Sequence, residues 1–258
     1  SVIMGANIGT TATAWMISLL GFKFSLATIT LPIIAISIPF IFSSNNKRKS
    51  VGEFLMGFAL LFMGLDLLKG SVPDLSQNPD MLAFLNQYTG YGFGSVIIFM
   101  LVGAILTIVV QASTATMTIT LIMCAKGWIS YDLAVAMVLG ENIGTTITAN
   151  IAAIPANVPA KRAALAHLIF NLFGVIWVLC VFYQFTDLVK WTIEQLGQAN
   201  PDTLKAFIEA NKDIMPLLND PNAVLTPAQE TLRQQFLDAQ VATSYGLSLF
   251  HTMFNLTN

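Results

Sequence analysis

Two short phrases in this chain carry side chains that could hold ions, and they are nearly the same phrase. Residues 5–14 read GANIGTTATA and residues 140–149 read GENIGTTITA, identical at eight of ten positions with an offset of 135. Each copy supplies a carboxamide and two hydroxyls: Asn7, Thr10 and Thr11 in the first, Asn142, Thr145 and Thr146 in the second. A third polar cluster, QAST, places Gln111, Ser113 and Thr114 together, and Thr116, Thr118 and Thr120 continue it. None of these stretches contains Arg or Lys. An anion held here would be bound by neutral donors and by the positive end of a helix dipole. The same amide and hydroxyl oxygens suit a hard cation such as sodium. Glu141 stands where Ala6 stands in the first copy, and an acid inside an apolar segment is a functional candidate. It reads equally as a cation ligand or as a group at a helix mouth facing water.

Another repeated phrase is H-x-x-F-N, with His167 and Asn171 in one copy and His251 and Asn255 in the other. The i, i+4 spacing puts each pair on one helix face. A metal or proton-relay role is open to them, but interhelical hydrogen bonding that clamps the scaffold is the preferred reading. Gly, Ser and Thr are also the ordinary packing residues between membrane helices. Two near-identical copies beside a separate Gln-Ser-Thr cluster favour a site over packing alone.

The elements that must position these groups are membrane helices. The 258 residues are 55% hydrophobic and 10% charged, with a mean hydropathy of +0.70. A soluble domain carries about 25% charged residues, so this chain is predicted to be an integral membrane protein. Its apolar runs have the length of spanning helices and lack the alternation of a barrel. The net charge of −2 leaves no nucleic-acid footprint. Cys124 and Cys180 lie in apolar runs and read as buried reduced thiols. The chain opens inside one motif and stops just after another, and reads as a fragment of a longer protein.

Apolar segments are predicted at 5–22, 26–43, 51–69, 92–127, 132–156, 163–185 and 241–258. Between them, SSNNKRKS and NVPAKR are short basic loops, which stay on the cytoplasmic side. The loop 71–90 has no Lys or Arg and is placed outside. So is the stretch 186–240, with eight acids and four bases, which is predicted to form short extramembrane helices. An odd number of crossings must then fall between 90 and 157. A re-entrant hairpin over 92–127, broken near 111, followed by one crossing satisfies the count, as do three crossings. In either case the two NIGTT phrases run through the membrane in opposite directions, as in inverted-repeat secondary transporters. Each phrase is expected to start or break a helix, with its amides turned into a shared hollow. Glu53 and Asp66, near the ends of the third span, are expected to snorkel to the interface.

VQASTATMTI, then GENIGTTITA, then RAALAHLIFN in that order resemble the second repeat of the type II sodium/phosphate cotransporters. GANIGTTATAW resembles the second half of that family's first repeat, and GFALLFMGLDLLKGSV and HTMFNLTN resemble its bacterial branch. The resemblance covers nearly all of the chain except 186–240. It implies an all-α membrane protein, an inverted-repeat secondary transporter with broken helices and a re-entrant hairpin, and not an enzyme. It divides the chain into the remainder of the first repeat with the following span (1–70), an extracytoplasmic loop (71–90), the second repeat (91–185), a second extracytoplasmic region (186–240) and a final membrane segment (241–258). The implied activity is sodium-coupled symport of inorganic phosphate by alternating access, with another small anion as cargo, or a membrane sensor, as alternatives. Phosphate is expected at Gln111, Ser113, Thr114, Asn7, Asn142, Thr10 and Thr145. Sodium is expected at Gln111, Ser113, Thr11, Thr146, Thr116 and Glu141. The family's Gln-Ser-Ser motif has Ala112 here in place of Ser, and Thr114 in place of a further Ser, so one hydroxyl is lost. Sodium is implied as a co-transported ion, with no organic cofactor. The expected surroundings are a bacterial inner membrane crossed several times, with lipid, and with a homodimer as a candidate assembly.

Overall fold

The structure, a computed structural model, describes residues 2–20, 27–71, 87–220 and 222–258. The principal elements are helices: α1 (Val2–Leu20), α2 (Ala27–Ile41), α3 (Asn46–Ser71), α4 (Phe93–Val110), α5 (Ser113–Ala125), α6 (Tyr131–Ala152), α7 (Val158–Cys180), α8 (Phe182–Gln195), α9 (Thr203–Ala210), α10 (Met215–Asn219) and α11 (Pro227–Thr257). No strand occurs among the described residues. The chain forms two compact units, residues 16–74 and, separately, residues 1–15 with 75–258.

The smaller unit contains the pair α2–α3. A β-carbon on Gly52 would strike the backbone of Ile41, so the two helices approach at backbone distance there. Ala59 and Phe62 are fully buried. The basic run predicted as a loop is largely helical: Asn45 Oδ1 accepts from the Lys47 amide at 2.9 Å and opens α3.

In the larger unit, α4 and α6 are the closest pair. A β-carbon on Gly103 would strike the Met137 backbone, and one on Gly140 the Met100 carbonyl. One on Gly144 would meet the Ala104 carbonyl at 2.6 Å. From Gly103 against Met137 to Thr107 against Gly144 the numbers rise together, so α4 and α6 run in the same direction. The connecting helix α5 must therefore run back between their ends. Its 13 residues cover about 20 Å, short of the ~30 Å hydrocarbon core.

Helix ends follow local chemistry. Asn157 Oδ1 accepts from the Ala160 amide at 3.1 Å and caps α7, with Pro159 in its first turn. Thr226 and Gln229 form a reciprocal capping box that starts α11, again with proline in the first turn. From there α11 continues unbroken for 31 residues, across the boundary at 240 expected from the change in polarity. Its first half packs with α9 and α10 around Leu204, Met215, Leu218 and Phe236.

By length and composition, α4 and α7 are the two helices among the described residues apolar enough to cross a bilayer. Each turns a row of large apolar side chains outward: Leu101, Ile105 and Val109 on α4, and Leu165, Ile169, Phe173 and Ile176 on α7. Rows at i, i+4, i+8 form one face of a helix, and a contiguous exposed apolar face suits lipid.

Candidate functional site

The QAST cluster lies at the turn between α4 and α5. Gln111 takes the left-handed conformation (φ 58°, ψ 21°), and Ala112 is extended before α5 begins at Ser113. Gln111 is the one non-glycine residue with positive φ among those described, a conformation costing an ordinary side chain about 1–2 kcal/mol. Such strain concentrates at functional turns. The N-terminus of α5 has no side-chain cap, so its first amides are open. The Gln111 carboxamide is exposed and the Ser113 and Thr114 hydroxyls are half-exposed. The result is a helix N-terminus without a side-chain cap and with three uncharged polar residues at or beside its first turn, and helix N-termini carry a partial positive charge.

The two NIGTT phrases behave differently from expectation. Both lie inside unbroken helices, GANIGTT in α1 and GENIGTT in α6, so their amides are spent on the helix and do not turn into a gap. The glycines of GENIGTT serve packing: Gly140 and Gly144, four apart, form the backbone-to-backbone contact with α4 described above. Gly5 and Gly9 occupy the same places in α1, and a β-carbon on either would meet nothing within 4 Å. The break expected near 111 does occur, at Gln111–Ala112.

The threonines of both phrases donate to carbonyls of their own helix. Thr10 donates to Ala6 at 3.0 Å, Thr11 to Ile8 at 2.6 Å, Thr145 to Glu141 at 2.8 Å and Thr146 to Ile143 at 2.7 Å. On α5, Thr116 donates to Ala112 at 3.2 Å. A hydroxyl whose proton is engaged offers only lone pairs, so in these rotamers the five threonines can serve a cation but cannot donate to an anion. Asn142 is similarly turned onto its own helix, its Nδ2 donating to Val138 at 2.8 Å. Asn7 instead reaches another helix: its Nδ2 donates to Asn171 Oδ1 at 3.2 Å, and its Oδ1 lies 3.0 Å from His167 Nε2. The first H-x-x-F-N copy thus clamps the first NIGTT phrase. His251 and Asn255, the second copy, are buried on α11.

Glu141 is not at a wet helix mouth. It is 5% exposed, and its Oε1 accepts from Thr120 Oγ1 at 2.6 Å, tying α5 to α6 behind the Gln111 turn. Glu53 is exposed, with Lys49 4.0 Å away. Of the two cysteines, Cys124 is buried as expected but Cys180 is exposed at the end of α7.

One charged centre escaped the sequence reading. Lys190 on α8 is 8% exposed and makes ion pairs with Asp132 in the first turn of α6 (2.9 Å), with Asp202 at the start of α9 (2.7 Å) and with Asp187 (3.5 Å). Burial alone would lower the lysine pKa, but the hydrogen bonds it donates to Asp202 and Asp132, with their negative charges, outweigh it and hold it above its ordinary value of 10.5. The signal was present: Phe182, Phe185, Val189 and Ile193 repeat at helical spacing, and Lys190 falls on that same buried face. A cavity of about 340 Å³ opens beside this centre, lined by Ser130, Tyr131, Asp202, Lys205 and Glu209. Among the described residues no group of three or more His, Cys, Asp or Glu is disposed to hold a metal.

The chain is similar to YqeW of Bacillus subtilis (strain 168), an uncharacterized protein, with 28% identity over 69% of this chain and 55% of that protein. It is similar to YjbB of Salmonella typhimurium (strain LT2), named as a proposed inorganic phosphate export protein, with 26% identity over 73% of this chain and 33% of that one. It is also similar to the sodium-dependent phosphate transport protein 2A of Rattus norvegicus, with 36% identity over 43% of this chain and 17% of that protein. The chain therefore spans about half the length, or less, of these curated relatives. No solved structure matches it. The Na+/Pi-cotransporter model matches residues 1–70 and 78–199, which include both NIGTT phrases, the QAST turn and the first H-x-x-F-N, and the chain accordingly belongs to this family of transporters.

Proposed function

We propose that this chain forms the core of a sodium-coupled inorganic phosphate symporter that works by alternating access. The observation that carries this reading is the Gln111 turn, where a helix start without a side-chain cap follows a left-handed residue and Gln111, Ser113 and Thr114 stand together without a fixed positive charge. Phosphate would be bound by Gln111, Ser113, Thr114 and the first amides of α5. Lacking Arg or Lys, this site needs compensating cations. The lone pairs of Thr116, Thr145 and Thr146, with the Glu141 carboxylate behind them, supply positions where sodium would provide that charge. Asn7, Thr10 and Thr11 would contribute from the first repeat, and Asn142 would join after rotating off Val138. The α4–α5 pair is the proposed re-entrant hairpin, because α5 is too short to cross by itself and turns back at the polar residues.

YjbB is named for movement of phosphate outward, which supports a second reading in which net flux in the cell runs as export through the same site. Proteoliposomes containing the whole protein separate the cases. Inward sodium gradients are expected to drive radiolabelled phosphate uptake severalfold above a potassium control, and arsenate to compete. Equal uptake with and without the gradient would remove sodium coupling. Phosphate flux that runs only outward under every gradient would select export.

A further inference from the structure

The two H-x-x-F-N copies lie one after the other along α1. On α7, His167, Asn171 and Gly174 share a face; His251 and Asn255 on α11 and Asn258 at its C-cap have the same spacing, and at 100° per residue fall within about 60° of each other. The seam between them can be traced. Asn7 of α1 holds His167 and Asn171. A β-carbon on Gly174 would overlap the Asn258 carboxamide, so that side chain lies on α7 at this level. Further along, Trp15 Nε1 of α1 donates to Thr252 Oγ1 of α11 at 3.0 Å. The path from Asn171 to Gly174 and on from Asn258 to Thr252 rises about 13 Å, against about 12 Å along α1 from Asn7 to Trp15. These contacts order the polar groups as one column along α1, from His167 through Asn171, Asn258 and Asn255 to His251. This face of α11 points away from Gly246, about 180° around the helix from Asn255, where Tyr131 packs.

The two halves of the column differ. The half at His167 is closed by the Asn7 carboxamide. In the other half His251 Nδ1, both polar atoms of Asn255 and both of Asn258 are buried with no hydrogen-bond partner among the described residues, although His251 is 7% and Asn255 6% exposed. Orphaned polar groups are costly in any protein interior and more so at membrane depth. The demand is mixed: two amide NH2 groups need acceptors, two carbonyl oxygens need donors, and the imidazole nitrogen needs one or the other. A bare cation would satisfy only the lone pairs. In the closed half the partner both donates to asparagine and accepts at histidine, and water does both.

We propose that the His251–Asn255–Asn258 half of the column binds a short file of ordered water molecules, which completes a hydrogen-bonded seam between α1, α7 and α11. Radiolytic hydroxyl labelling of the whole protein in detergent tests this directly, because radicals form at bound water. Phe254 is expected to label severalfold faster than Phe182, which is equally buried on α8. Labelling no faster than at Phe182 would overturn the proposal. In the substitution Asn255→Leu, a hydrated column loses a water partner and the melting temperature falls by about 2–4 °C. A dry column would lose an unpaired amide, and a rise in melting temperature would overturn the proposal. Both measurements are repeated with choline replacing sodium, and labelling that changes only with sodium would put a cation in the column and also overturn it. Phosphate and transport enter neither measurement, so failure here leaves the proposed function standing, and failure of symport leaves the column standing.

Discussion

Gln111 carries two burdens that glycine would separate. Its backbone needs the left-handed region, which glycine enters freely, and its carboxamide is exposed at the proposed anion site. Gln111→Gly is expected to raise thermal stability slightly, by up to about 1 kcal/mol, while phosphate uptake is lost or the half-saturating phosphate concentration rises at least tenfold. Melting temperature and uptake measured on the same preparation check this. Unchanged uptake would remove Gln111 from the site. The polar identities of Gln111, Ser113 and Thr114 were legible in sequence because amides and hydroxyls are rare in apolar runs. Which threonine protons were already engaged was not, since that depends on χ1 choices made against the helix's own carbonyls.

At the scale of elements, the break expected near 111 is present, and those expected at the two NIGTT phrases are not. Gly-x-Asn-Ile-Gly-Thr-Thr has the composition of a kink, yet in α6 its glycines take the backbone of α4 at contact distance, and close packing outweighs glycine's cost in a helix. The identical glycines of α1 meet nothing, so one phrase has two packing outcomes that no local rule separates. The ion-pair centre is an element-scale device as well, since Lys190 joins α8 to the starts of α6 and α9. Lys190→Met is expected to destabilise by about 1–3 kcal/mol, less than a fully buried pair because the aspartates remain partly in water. The pH sign follows from the raised lysine pKa. Its contribution is complete below 10.5 and is lost as pH rises through the higher folded value. Wild-type stability should therefore fall with alkaline pH, and the Met variant should show a shallower fall in denaturation curves between about pH 9 and 12. Parallel curves would remove the lysine from the stability balance.

For the whole molecule, the open matter is which ends of the helices share a side of the membrane. The positive-inside rule predicts residues 43–50 and 157–162 on the cytoplasmic side, and the count of spans then predicts 186–240 opposite. In a protein carrying Cys124→Ala and Cys180→Ser, single cysteines at Ser44 and Asn157 are expected to resist an impermeant maleimide in intact cells and to react after lysis. One at Gln198 is expected to react in both. Labelling of Asn157 and Gln198 from the same side would break the inverted-repeat reading. Helix α11 runs without a break through the change of polarity at 240. Its first half buries Phe236 and Ala239 against α9 and α10 and its second half buries Phe250 and Phe254, so one rod serves two environments.

Sequence alone settled the all-helical class, the repeated phrases, the polar turn and the family, because each is carried by residue type and order. Tertiary structure decided which copy of a phrase is paired. Asn7 finds His167 and Asn171 across 160 residues while Asn142 turns inward on its own helix. The same His and Asn spacing is satisfied on α7 and left open on α11. A hydrogen bond between helices needs two surfaces brought within about 3 Å, and that distance is set by every side chain packed between them, not by the four or five residues that form the motif.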